Sequence, residues 1–113
     1  MSGISTHVLD TSLGRPAAGV KVVLEKHAMD TWVTVGEGTT DKDGRVKSLL
    51  PAGKKLAKGM YRLKFDTLRY FSGQQRDTFY PQVTVTFFVT DPAQPCHVPL
   101  LLSPYGYATY RGS

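Results

Sequence analysis

The stretch QVTVTFFVTD, residues 82–91, alternates with period two: Val83, Val85, Phe87 and Val89 fall on one side, Thr84, Thr86 and Phe88 on the other. Successive strand side chains point to opposite faces, so the pattern describes a strand with one buried face. Two further windows behave alike. In GVKVVLEKH (19–27), Val20, Val22 and Leu24 oppose Lys21 and Glu25, and in GMYRLKFD (59–66), Tyr61, Leu63 and Phe65 oppose Met60, Arg62 and Lys64.

Five shorter segments complete the set: ISTHVLD (4–10), TWVTVGEG (31–38), GRVKSLL (44–50), CHVPLLLS (96–103) and YGYATYRG (105–112). They are separated by turn-rich LGRPAAG, DKDG, PAGKKLAKG, DPAQP and SPYG. Eight strands at this spacing predict an all-β, two-sheet sandwich. One short helix is expected over TLRYFSGQQ (67–75), with Asp66 or Thr67 capping its first turn. Pro99 lacks a ladder donor, so its nitrogen is expected to face away from a neighbouring strand, at an edge or bulge.

With 113 residues the chain is read as a single domain, residues 1–113, with room for one apolar core. No apolar run reaches the roughly 18 to 20 residues that span a bilayer. MSGISTHVLD lacks the basic start and apolar segment of a secretory signal, and the terminal RGS is not a peroxisomal address. A cytoplasmic setting is therefore expected, or a periplasmic one if a signal peptide has been removed.

The lone Cys96 excludes an intrachain disulfide framework and a four-cysteine zinc site, and is expected to be a buried, inert thiol. The formal charge of +5 is scattered, with only Lys54, Lys55 and Lys58 approaching a cluster. Without a basic helix or an aromatic platform, nucleic acid is not an expected partner.

Several motifs fail on inspection. GEGTTDKDGR (36–45) has Asp41 where a dinucleotide loop needs its third glycine. Aligned to a calcium loop, it leaves Leu50 where the bidentate glutamate belongs. DKDG is read as a hairpin turn. Cys96 and His97 are strand neighbours pointing to opposite faces, which separates a thiol from its base. His7, His27 and His97 show no metal-ligand spacing, and no metal or cofactor is expected.

By period two, His7 shares a face with Ser5 and Leu9, His97 with Pro99, Leu101 and Ser103, and Tyr110 with Gly106, Ala108 and Gly112. If those faces meet, two imidazoles and a phenol project over a floor of small or apolar side chains.

STHVLDTSLGRPAAGVKVVLEK, GEGTTDKDGR and the closing SPYGYATYRGS resemble the transthyretin-like family, specifically its 5-hydroxyisourate hydrolase branch. The resemblance runs from Ile4 to Ser113, and the terminal Tyr-Arg-Gly-Ser is its most discriminating part. It implies an eight-stranded transthyretin-like (prealbumin-like) sandwich assembled as a homotetramer, a dimer of dimers with sites in a central channel. The implied activity opens the ring of 5-hydroxyisourate in urate breakdown without a cofactor.

Carried over by motif, the catalytic set is His7, Arg45 and His97. Substrate binding falls to His7, Arg45, Tyr110, Arg111, Gly112 and Ser113. His27 matches none of these and is expected at the surface. Either His7 or His97 can serve as base, with a slight preference for His7, because imidazole titrates near neutrality. Arg45 offers paired N–H donors to a flat, polar substrate. The rival reading is a non-catalytic carrier of small aromatic ligands, which predicts an apolar channel without paired histidines. A structural or interaction module is a third class, since sandwiches host many functions.

Overall fold

The computed structural model describes residues 3–112, which form two stacked sheets and one short helix. In chain order the elements are β1 (Ile4–Asp10), β2 (Arg15–Pro16), β3 (Lys21–Ala28), β4 (Thr31–Thr39), β5 (Arg45–Val46), β6 (Gly59–Phe65), α1 (Thr67–Ser72), β7 (Val83–Val89), β8 (Cys96–Ser103) and β9 (Gly106–Thr109). One sheet is ordered β2-β1-β8-β9, with β5 also paired to β1; the other is ordered β4-β3-β6-β7. β1 and β8 run parallel, and every other pairing is antiparallel.

The alternating windows face as their sequence dictates. Val20, Val22, Leu24, Leu63 and Phe65 are fully buried and Tyr61 nearly so, meeting Ile4, Val8, Leu100 and Leu102 from the facing sheet. On β7, Val83 and Val89 are buried, whereas Val85 and Phe87 are only half-buried. β7 is an edge strand, and both residues line an apolar cleft of about 270 Å³ between the sheets. The Cys96 thiol also borders this cleft and is partly exposed, not buried as expected.

Four local expectations need correction. β2, two residues long, lies in the expected LGRPAAG turn, where it pairs with Leu9 and Asp10. The strand expected over residues 44–50 shrinks to β5, because only Arg45 and Val46 align with β1 before the chain bends at Lys47. The DKDG turn is no hairpin: β4 and β5 belong to different sheets, so the turn carries the chain from one layer to the other. Gly44, at φ +76°, closes it by donating its N–H to the Asp41 carbonyl, in backbone space that other residues rarely enter. The helix ends at Ser72, short of Gln75, and Asp66 caps it by accepting the Arg69 N–H.

Pro99 sits inside the sheet, opposite His7 on β1. On its other side the β8–β9 ladder stops at Leu100↔Thr109 and resumes as a single bridge at His97↔Gly112. The missing proline donor therefore falls in a gap of the ladder, where the Thr109 hydroxyl donates to the Pro99 carbonyl instead.

The far end of β1 is held by a buried carboxylate. Asp10 accepts from the Tyr70 hydroxyl, the Arg76 guanidinium, the Ser12 hydroxyl and the Leu13 N–H. Burial alone raises a carboxyl pKa, but these four bonds outweigh it and hold Asp10 at about 2. The fold thereby ties β1 to α1 and leaves no open polar valence there.

Candidate active site

The outer face of the five-stranded sheet carries His7, Arg45 and His97, and strand register decides how they meet. Across β1 and β5, His7 pairs with Arg45; across β1 and β8, Ser5 pairs with His97 and His7 with Pro99. Directly opposed residues share a face with their Cβ atoms about 5 Å apart. One patch thus contains both histidines and the arginine, although the segments lie far apart in sequence.

Arg45 is aimed by its turn. The Asp41 carboxylate accepts the Asp43 and Arg45 N–H groups, both at 2.9 Å, and fixes the backbone from which the guanidinium leaves. The Arg45 N–H is the largest influence lowering the Asp41 pKa, so this carboxylate stays charged at neutral pH. Arg45 is exposed, and among the described residues no carboxylate lies within 4 Å of its guanidinium. It is a cation available to a ligand.

His97 is half-buried. Its Nδ1 lies 2.8 Å from the Ser5 hydroxyl, and its carbonyl accepts the Gly112 N–H at 2.8 Å. Gly112 runs so close over the ring that a Cβ there would stand 2.5 Å from Cδ2 and 3.1 Å from the Pro99 ring. Only glycine fits. Burial first, then the positive fields of Arg45 and His7, push the His97 pKa down, keeping the imidazole neutral near pH 7.

A hollow of about 320 Å³ opens beside these groups, lined by Ser5, Arg45, Lys47, Pro95, His97 and Gly112 among others. His7 stands on the same face next to Arg45. Tyr110 and Arg111 lie on the other side of the terminal segment, where both border the apolar cleft and Arg111 reaches Gln94. Ser113 lies outside the described residues. His27 takes no part: it packs edge-on against Trp32 on the other sheet.

Ser5 and Lys47 are among the lining residues that sequence reading did not single out. Ser5 shares the His7 face by period two, and Lys47 follows Arg45 by two positions. The alternation thus held a signal for both, but the contact of Ser5 with His97 needs the pairing of segments 92 residues apart. Among the described residues no three His, Cys, Asp or Glu side chains gather as metal ligands. No helix there is long and apolar enough to cross a membrane.

Known proteins resemble the chain over nearly its whole length. The model of the HIUase/Transthyretin family matches residues 4–112. The chain is similar to 5-hydroxyisourate hydrolase of Salmonella typhimurium, at 48% identity over 97% of this chain and 80% of that protein. It is likewise similar to 5-hydroxyisourate hydrolase of Mus musculus, at 43% identity over 99% of this chain and 96% of that one. The solved structure of Klebsiella pneumoniae 5-hydroxyisourate hydrolase superimposes with TM-score 0.86 at 32% identity, covering 99% of this chain and 100% of that one. Sea bream transthyretin in complex with thyroxine gives 0.89 at 28% identity, covering 96% and 93%. With nearly its whole length matched, the chain belongs to the HIUase/transthyretin family.

Proposed function

We propose that the protein hydrolyses 5-hydroxyisourate, opening its six-membered ring to give 2-oxo-4-hydroxy-4-carboxy-5-ureidoimidazoline in urate breakdown. The observation that carries this reading is the convergence of His7, Arg45 and His97 on one sheet face beside an open hollow. The hydrolase relatives, similar over almost the whole chain, support it.

Hydrolysis at an amide-like bond needs a base for water, a donor for the developing oxyanion and a clamp on the heterocycle. A neutral imidazole near pH 7 meets the first need, and a positioned base is worth roughly 10²- to 10⁴-fold in rate. Arg45 meets the second and third, staying charged throughout with two parallel donors. Gly112 and the residues around it, Tyr110, Arg111 and Ser113, complete the substrate-binding set, with the glycine forming a wall against His97.

Two free edges support assembly into a homotetramer, a dimer of dimers. β7 and β9 end their sheets on the same side of the sandwich, where they flank the apolar cleft; Phe88 and Tyr110 are 72% and 58% exposed there. Unpaired edges with exposed aromatic residues are templates for a second copy. Pairing two dimers across the His7 face then encloses the hollows in a channel. The reading places the protein in the cytoplasm, where a single unpaired cysteine suits reducing conditions.

The carrier alternative wants an apolar channel, and the cationic, imidazole-bearing patch disfavours it. The deciding experiment follows the ultraviolet absorbance of freshly generated 5-hydroxyisourate. Purified protein is expected to speed its decay well beyond the spontaneous rate, and an unchanged rate sinks the hydrolase reading.

A further inference from the structure

Ser5 belongs to no role described so far, yet it makes the one side-chain hydrogen bond to the His97 ring found among the described residues. The contact is built into the backbone. Parallel pairing sets Ser5 directly opposite His97, both facing the hollow, so the hydroxyl meets Nδ1 by register alone. On the other side Gly112 passes so close that a Cβ there would stand 2.5 Å from Cδ2 and 3.2 Å from Cγ, which confines the ring. Held from both sides, the ring is left with Nε2 as the nitrogen that no described residue engages.

The tautomer follows from an inventory of donors and acceptors. A neutral imidazole has one N–H and one lone pair, and a serine hydroxyl has one proton to give. Among the described residues the Ser5 hydroxyl has no other acceptor than Nδ1. If it donates to Nδ1, the ring proton must sit on Nε2.

We infer that Ser5 is a positioning residue: its hydroxyl donates to Nδ1 of His97 and holds that imidazole as the Nε2–H tautomer, making His97 a hydrogen-bond donor toward the substrate and leaving the base role to His7. The inference rests on the hydrolase reading for its catalytic consequence, but the Ser5–His97 contact itself does not.

The test has two arms. In the kinetic arm, Ser5→Ala lowers kcat while KM changes little; orienting partners of histidines are worth about 10- to 100-fold where measured at metal sites. Ser5→Thr, which keeps the hydroxyl on a residue suited to a strand, restores most of the loss. Removing a bond to the neutral form raises the His97 pKa, so the ring titrates at higher pH in Ser5→Ala, read from its nitrogen shifts. The other groups around the ring, His7 on β1, Arg45 on β5, Lys47 just after it, and Tyr110 and Arg111 after β9, are the same in both proteins.

In the second arm, nitrogen NMR of the intact protein reads the tautomer directly. The wild type shows His97 protonated at Nε2, and Ser5→Ala shows a mixture. A wild type protonated at Nδ1, or a Ser5→Ala variant with wild-type kcat and an unshifted His97 titration, overturns the inference. Should the wild type leave 5-hydroxyisourate untouched, the hydrolase reading falls, and the NMR arm alone still decides the Ser5–His97 contact.

Discussion

The two sheets present outer faces of similar composition and opposite character. On the four-stranded sheet Glu25 pairs with both Arg62 and Lys64, the Arg62 guanidinium lies 4.2 Å over the Trp32 ring, and His27 meets the same ring edge-on at 5.0 Å. Arg62, Lys64 and His27 each have a partner there within their own sheet. On the five-stranded sheet Arg45 has no carboxylate partner among the described residues, and His7 and His97 lie beside it in an electropositive patch. Residue type does not distinguish Arg62 from Arg45, or His27 from His97. What distinguishes them is whether the neighbouring strands satisfy their polar groups or leave them facing a hollow.

The sharpest way to break this contrast is Arg45→Ala. We expect a loss of about 10²- to 10³-fold in kcat, the usual cost of removing one oxyanion donor. Stability to urea should hardly change, because the side chain is exposed. A variant of full activity would place Arg45 with Arg62 among structural cations.

Gly112→Ala comes next. The added methyl meets the His97 ring at 2.5 Å, so either the ring or the terminal segment must shift. Misplacing a catalytic group by an ångström can cost up to about 10²-fold, and steady-state kinetics of the variant should register it. Unchanged kinetics would show that the terminus does not support the site.

Acid separates function from fold. His97 has a folded pKa below its ordinary 6.5, so the folded state binds fewer protons than the unfolded one across that window. Its contribution to stability therefore rises with pH there, and activity falls as acid charges the ring. Asp10 shifts in the same direction but in a lower window, from 3.8 to about 2, and its stabilisation is complete above 3.8 and lost as pH falls toward 2. At about 1.4 kcal/mol per unit that loss is about 2 kcal/mol. Rate and circular dichroism measured over the same pH series should show activity failing first.

Arg62→Ala should have the smallest effect on activity. Breaking a largely buried ion pair and a cation–π contact is expected to cost about 1 to 3 kcal/mol in urea denaturation and nothing in kcat. A large kinetic effect would mean that the four-stranded face also serves the chemistry.

Much of this contrast is legible in the chain. Period two alone put Val20, Val22 and Leu24 inward, and it grouped Ser5 with His7 on one face. It also made Glu25 an outward residue, although the β-bulge at Leu24/Glu25 was hidden, because nothing local marks an extra residue in a strand. The site needed more than faces. That His7 opposes Arg45, and Ser5 opposes His97, is set by long-range register, and alternation within one segment carries no information about its partner. The family resemblance supplied that grouping where local pattern could not. The ladder gap opposite Pro99 also interrupts the last strand before Tyr110, which explains why a regular alternation could not place that side chain.

The most direct test of the account compares wild type and His97→Ala, matched for fold and mass, in the decay of freshly generated 5-hydroxyisourate. The account predicts strong acceleration by the wild type and a loss of about 10²-fold or more in the variant. Equal rates for the two proteins, whether both fast or both at the spontaneous rate, would contradict it.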